Sequence, residues 1–252
     1  MKVKFSYSHR DVIKFLKHTI MAINLEKGQK INLEKGNGSK LMEFCVGVNW
    51  GAIMRPVQER SGFLGLGSKT VMKEMDVDVD LSCVMTDANG VLVDTLYSPL
   101  YNPQMFLARG LPVGKDWSAD GSMYHTPDDV EGDKGGDDGL DNEVVQIDLS
   151  KVRSNITQIF FFLNIFSPKN LDFSGIPYVQ VRMFEGTPQK VSTVFAQYDV
   201  AKESQFVGKN ALILGKLYRR NGEWKFAAIG DAYDDRYDLR NTVARIIDNY
   251  AK

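Results

Sequence analysis

Eight carboxylates crowd the sixteen residues from Asp128 to Glu143 (Asp-Asp-Val-Glu-Gly-Asp-Lys-Gly-Gly-Asp-Asp-Gly-Leu-Asp-Asn-Glu), and Lys134 alone opposes them. The 252-residue chain has a formal net charge of −1, so this acidity is local. Two carboxylates about 5 Å apart repel by roughly 1 kcal/mol in water and about 3 kcal/mol at an effective dielectric of 20. Such density calls for solvent or for a cation among the charges. Hard divalent cations take many oxygen ligands, and glycine lets a chain turn tightly enough to aim several at one point. A second acidic run, Asp76-Val77-Asp78-Val79-Asp80, lies upstream. Together they point to a calcium site. No window carries the EF-hand pattern, so its ligands must converge from separate parts of the chain at one end of a sheet.

The elements that would position these groups are mostly strands. Val77, Val79, Leu81 and Cys83 alternate with Asp78, Asp80 and Ser82. On a strand the carboxylates then form a row about 7 Å apart, and the apolar residues face a core. Asp is depleted in strands, so three in register need a reason. A solvated outer face is the bland alternative, as is a disordered loop for 128–143, though that segment runs directly into a strand at Val144. Asp87-Ala88-Asn89-Gly90 makes 77–96 a hairpin. Met42, Phe44, Val46, Val48 and Trp50 also keep a period of two. Further strands are predicted at 144–149, 158–166, 178–185, 193–198, 211–219 and 224–233. Residues 60–70 read as a Gly-rich loop and 98–143 as a long loop region, which in a compact domain signals function or disorder. Helices are predicted over 8–22, where Val12, Phe15, Leu16 and Ile20 share a face, and near 235–250. The fold class expected is mainly β: an antiparallel β-sandwich with peripheral helices at both termini.

Composition narrows the classes further. With 43% hydrophobic and 11% aromatic residues the chain can bury a substantial core. Its near-neutral charge argues against a nucleic-acid partner. No run has the length of a membrane-spanning helix, and the N-terminus has no signal-peptide core. Cys45 and Cys83 make neither a disulfide framework nor a zinc motif, so cytoplasmic localisation is expected. With His9, His18 and His125 as the only histidines, a zinc centre or a Cys–His nucleophile has little to draw on. Gly67-Ser68-Lys69-Thr70 lacks the spacing of a phosphate loop.

Several segments, in order, resemble the TerD-like family of tellurium-resistance and stress-response proteins. They are Ala22-Ile23-Asn24-Leu25-Glu26-Lys27-Gly28, Val46-Gly47-Val48-Asn49-Trp50, Val77-Asp78-Val79-Asp80-Leu81-Ser82, His125-Thr126-Pro127-Asp128-Asp129, Gly136-Asp137-Asp138 with Glu143–Val152, and the hairpin Gly215–Phe226. The resemblance spans roughly residues 22–235. It implies a TerD-like calcium-binding β-sandwich over 22–252, ending in the C-terminal helix, behind an N-terminal helical extension over 1–21. It also implies a cytoplasmic bacterial stress protein without known catalysis, with protein partners in a stress-response complex. The metal-site candidates are Asp78, Asp80, Asp128, Asp129, Asp137, Asp138, Asp141 and Glu143, with calcium as the cofactor. Gly51 stands where the family commonly has Asp, Pro127 where it has Gly, and Asp129 where it has Asn. Two other readings stay open. One is a metal-dependent phosphoester hydrolase with Arg55, Arg60 or Arg109 as a clamp. The other is a calcium-dependent membrane or protein docking module using Phe106 and Trp117.

Overall fold

The structure, a computed structural model, describes residues 22–35, 37–61, 67–200 and 204–252. The helix expected over 8–22 lies, but for Ala22, outside the described residues. Two six-stranded sheets pack face to face, the sandwich that the alternating strands imply. The first has the order β1 (Ile23–Asn24), β12 (Lys190–Asp199), β11 (Val179–Thr187), β3 (Glu43–Trp50), β9 (Glu143–Asp148) and β8 (Met123–His125). The second has β2 (Lys30–Asn32), β14 (Glu223–Tyr233), β13 (Ala211–Arg220), β10 (Gln158–Ser167), β6 (Asp78–Thr86) and β7 (Leu92–Leu96). The pairings are antiparallel except β1 on β12, where Ile23 faces Ala196 in parallel.

Period-two alternation decides which side chains meet. Phe44, Val46, Val48 and Trp50 of β3 point into the same core as Val79, Leu81, Cys83 and Met85 of β6. Each such side chain contributes about 1.5–3 kcal/mol when fully buried. The far face of the second sheet is buried too. There Val84, Phe160, Phe162 and Ile213 pack against Leu239, Val243 and Ile246 of the helix α2 (Leu239–Asn249). Asp238 caps that helix by accepting from the Arg240 N–H.

Two expectations need correction. Residues 60–70 are not one loop. Strands β4 (Ile53–Ser61) and β5 (Gly67–Met75) reach into that stretch and form a two-stranded sheet of their own. Its mostly exposed side chains lack the polar/apolar alternation that marks a half-buried strand. The 98–143 region is largely irregular, yet it contains the short helix α1 (Pro103–Leu107) and strand β8. Phe106 of α1 is buried, stacked on Tyr97 at 4.8 Å, because the segment lies over the second sheet.

Candidate metal centre

Strand β7 pairs with β6 only from Cys83 onward, so among the described residues the first half of β6 has a free edge. Side chains from the first sheet cover it. The Leu81 N–H donates to Glu143 Oε2 at 2.6 Å, and His125 Nε2 lies 2.7 Å from the Leu81 carbonyl oxygen. Glu143 opens β9 and His125 closes β8, so the clasp ties the two sheets together. Glu143 also accepts from the Asp129 N–H at 3.3 Å, which anchors the start of the acidic loop.

Asp78 and Asp80 lie beside this clasp, and they are not on a solvated face. They are 6% and 3% exposed, because the segment after β7 folds over them. Tyr101 donates its hydroxyl to Asp80 Oδ2 at 2.8 Å and packs edge-on against Phe106 and Phe166. Asp128 completes a nest, in which one carboxylate oxygen from each of Asp78, Asp80 and Asp128 lies within 4.8 Å of the others. Among the described residues, Oδ1 of Asp78 and Oδ1 of Asp128 are buried with no hydrogen-bond partner. Each orphaned buried acceptor costs about 1–3 kcal/mol. Burial, then the Asp128 and Asp129 charges, push the Asp78 carboxyl up to about 7. Burial, with neighbouring carboxylates, also holds Asp80 and Glu143 well above the usual carboxylate range. An all-oxygen nest with two unsatisfied buried acceptors fits a hard divalent cation.

A second group forms in the loop. Oxygens of Asp133, Asp137 and Asp138 also lie within 4.8 Å of one another, but Asp137 and Asp138 are exposed and Asp133 is only half-buried. Hydrogen bonds fix this group to the end of β3. The backbone of Asp133 pairs across to Trp50 and Ala52. Asn49 Nδ2 donates to Asp137 Oδ1 at 2.9 Å. Asn142 accepts from the Trp50 N–H at 2.8 Å and donates to Asp129 at 3.2 Å and Asp133 at 3.1 Å. Tyr178 donates its hydroxyl to Asp133 Oδ2 at 2.8 Å. This explains Gly51, because a Cβ there would lie 2.7 Å from the Tyr178 ring. The phenol occupies the room that an Asp side chain would need.

The remaining candidates stand outside both groups. Asp141 accepts from Arg182 Nε through both oxygens, at 2.8 and 2.9 Å. It lies against Gly47, where a Cβ would come within 2.3 Å of its oxygen. Burial pushes the Asp141 carboxyl up to about 6 against the pull of Arg182. Asp129 accepts from the N–H groups of Glu131 and Gly132 and shapes the turn. Asp133, Tyr101, Tyr178, Asn49 and Asn142 escaped the sequence reading. Asp133 matches no motif position, and a tyrosine 21 residues from Asp80 leaves no local signal. The clamp arginines lie elsewhere: Arg55 and Arg60 on β4, and Arg109 against Asn241 and Asp238. Trp117 is 58% exposed, while Phe106 is not available as a docking tip.

Comparison with known proteins places this arrangement. The TerD domain model matches residues 21–245. Stress response protein SCP2 of Bacillus subtilis is 33% identical over 90% of this chain and 100% of its own length. General stress protein 16U of the same organism is 30% identical over 91% and 97%. Tellurium resistance protein TerD of Serratia marcescens is 28% identical over 84% and 92%. The crystal structure of a TerD homologue from Streptomyces coelicolor A3(2) shares the fold at a TM-score of 0.52 and 12% identity, over 84% of this chain and 98% of that one. The chain belongs to the TerD domain family.

Proposed function

We propose that this protein is a calcium-binding stress-response protein without catalysis of its own. The carrying observation is the nest of Asp78, Asp80 and Asp128, with two buried oxygens that no donor among the described residues satisfies. A calcium ion would take its ligands from these three residues. Glu143, Asp129 and Tyr101 would act as positioning groups, and Asp133, Asp137 and Asp138 would offer a second, more open seat. The relatives named for general stress and tellurium resistance support the cellular role. Calcium is favoured over magnesium because an irregular, loop-borne oxygen set suits a shell of six to eight ligands better than a rigid octahedron. Calorimetric titration of the metal-stripped protein should show calcium binding tighter than magnesium. No calcium heat, or equal affinity for both, would sink the reading.

The non-catalytic part rests on coverage. A hydrolytic metal needs open positions for water and substrate. Here Tyr101, backed by Phe106 and Phe166, lies over the nest, and one Asp80 oxygen is already taken. Metal-dependent phosphoester turnover that disappears in Asp80→Asn would promote the hydrolase instead. A cytoplasmic location and protein partners in a stress-response complex belong to the same proposal. The two buried free thiols, Cys45 and Cys83, suit a reducing compartment.

A further inference from the structure

Among the described residues, the β4–β5 arm pairs with neither large sheet. Its nine paired positions there, from Ile53 with Met75 to Ser61 with Gly67, join only each other. A lone hairpin is marginal in water, and its outer edges offer N–H and C=O groups to any further strand. The arm also exposes Met54 (53%), Met72 (55%) and Met75 (40%). Proline at 56 deprives β4 of one N–H, so β5 has the more complete edge. The charge on β5 that would most oppose a neighbour is already matched: Lys73 is paired with Glu59 at 2.5 Å.

We propose that β5 pairs with β5 of a second copy, antiparallel about a twofold axis at Met72, giving a four-stranded sheet between two molecules. A twofold axis normal to the sheet keeps every side chain on its own face, so only residues of one face oppose each other. Centred on Met72, the pairing sets Thr70 against Glu74, Val71 against Lys73 and Lys69 against Met75, with no like charges opposed. Centred one residue earlier, it would set Lys69 against Lys73 twice. Charge therefore favours the Met72 register over that one. Pro56 faces Met72 within each arm, so a row of Pro56, Met72, Met72 and Pro56 then crosses the four strands on one face. Glu74 accepts from the Gly135 N–H at 2.8 Å through one oxygen, which holds it in place and leaves the other for the partner.

Sedimentation equilibrium of the full chain tests this. The parent should be a dimer at micromolar concentration. Met72→Lys opposes two ammonium groups at the axis and should weaken association at least tenfold. Thr70→Lys, facing Glu74 of the second copy, should tighten it severalfold. Met54→Lys, equally exposed but on β4, should leave it unchanged. Melting of all three should match the parent at concentrations where the parent is dissociated, since association itself adds apparent stability. A monomer at every concentration overturns the proposal, as does a dimer indifferent to both β5 changes. So does a monomer whose arm binds phosphatidylserine vesicles.

Discussion

The Asp78–Asp80–Asp128 nest and the Asp133–Asp137–Asp138 group use the same side chain in opposite surroundings. The first sits under Tyr101 at the joint of two sheets, and the second lies on a loop in solvent. Asn142 bridges Asp133 to Asp129, the chain neighbour of Asp128, so the two groups are linked through the loop. In water like charges a few ångströms apart cost little; at low effective dielectric they cost several times more. Burial therefore makes the inner nest unstable when empty and well suited to a cation, while the outer group tolerates either state. Rigidity differs in the same direction. Two of the inner carboxylates are fixed by a strand ladder, whereas the outer ones hang on Asx-type turns such as Gly139 N–H to Asp137.

That contrast can be broken most directly with calcium itself. An ion held only by the folded state adds about 2.7 kcal/mol at a hundredfold excess over its Kd. For a domain of this size that is roughly 5–10 °C in melting temperature. Scanning calorimetry in chelator and in millimolar calcium should show it, and equal melting temperatures would remove the native-state site.

The next effect separates the groups. Asp78→Asn and Asp80→Asn should each weaken calcium binding by about tenfold or more, roughly 1.4 kcal/mol. Asp78→Asn should also raise the melting temperature of the metal-stripped protein at pH 8, above the value of about 7 to which burial pushes this carboxyl, since a buried charge is removed there. Asp133→Asn should do less on both counts, because Tyr178 and Asn142 already satisfy its oxygens. Equal small losses from all three would mean a diffuse cloud of charge in place of an ordered seat.

A pH series sharpens the comparison. The folded Asp78 carboxyl is at about 7, against roughly 3.9 in an unfolded chain. Between these values the folded protein holds a proton that the unfolded one has released. This contribution is complete below about pH 4 and is lost as the pH rises through about 7. The stripped protein should thus melt lower at pH 8 than at pH 5. Saturating calcium should flatten or reverse the slope, because the cation favours the ionised carboxylates. A stripped protein that gains stability over that range contradicts the buried nest.

The smallest effects are expected at the rim. Asp138→Asn should change calcium affinity by less than about threefold, since an exposed charge contributes little. Asp141→Asn should leave affinity unchanged and lower stability instead, because Arg182 loses the carboxylate it holds. Titration and melting of the two variants check both.

Much of the sandwich was legible in local pattern. The strands from Gln158 onward fall within a few residues of where alternation puts them, and Leu239, Val243 and Ile246 give the last helix away by spacing. The β4–β5 arm was not legible, since β5 is exposed almost throughout and β4 mixes Arg55 and Glu59 with Val57 on its half-buried face, so neither has an apolar rhythm to read. Strand β8 escaped for another reason: three residues are too few to show a period.

For the acidic residues the division is similar. Sequence alone determined that carboxylates are dense at 76–80 and 128–143, that Asp78 and Asp80 share a strand face, and that Val79 and Leu81 point into a core. Those follow from composition and the two-residue period of a strand. Tertiary structure decided that Asp128 joins Asp78 and Asp80 while Asp141 turns away to Arg182, and that Asp133 enters a group no motif gave it. It also decided that Tyr101 closes the nest. Those outcomes depend on which loop covers the free half-edge of β6. That is settled by packing between segments tens of residues apart, and no local spacing encodes it.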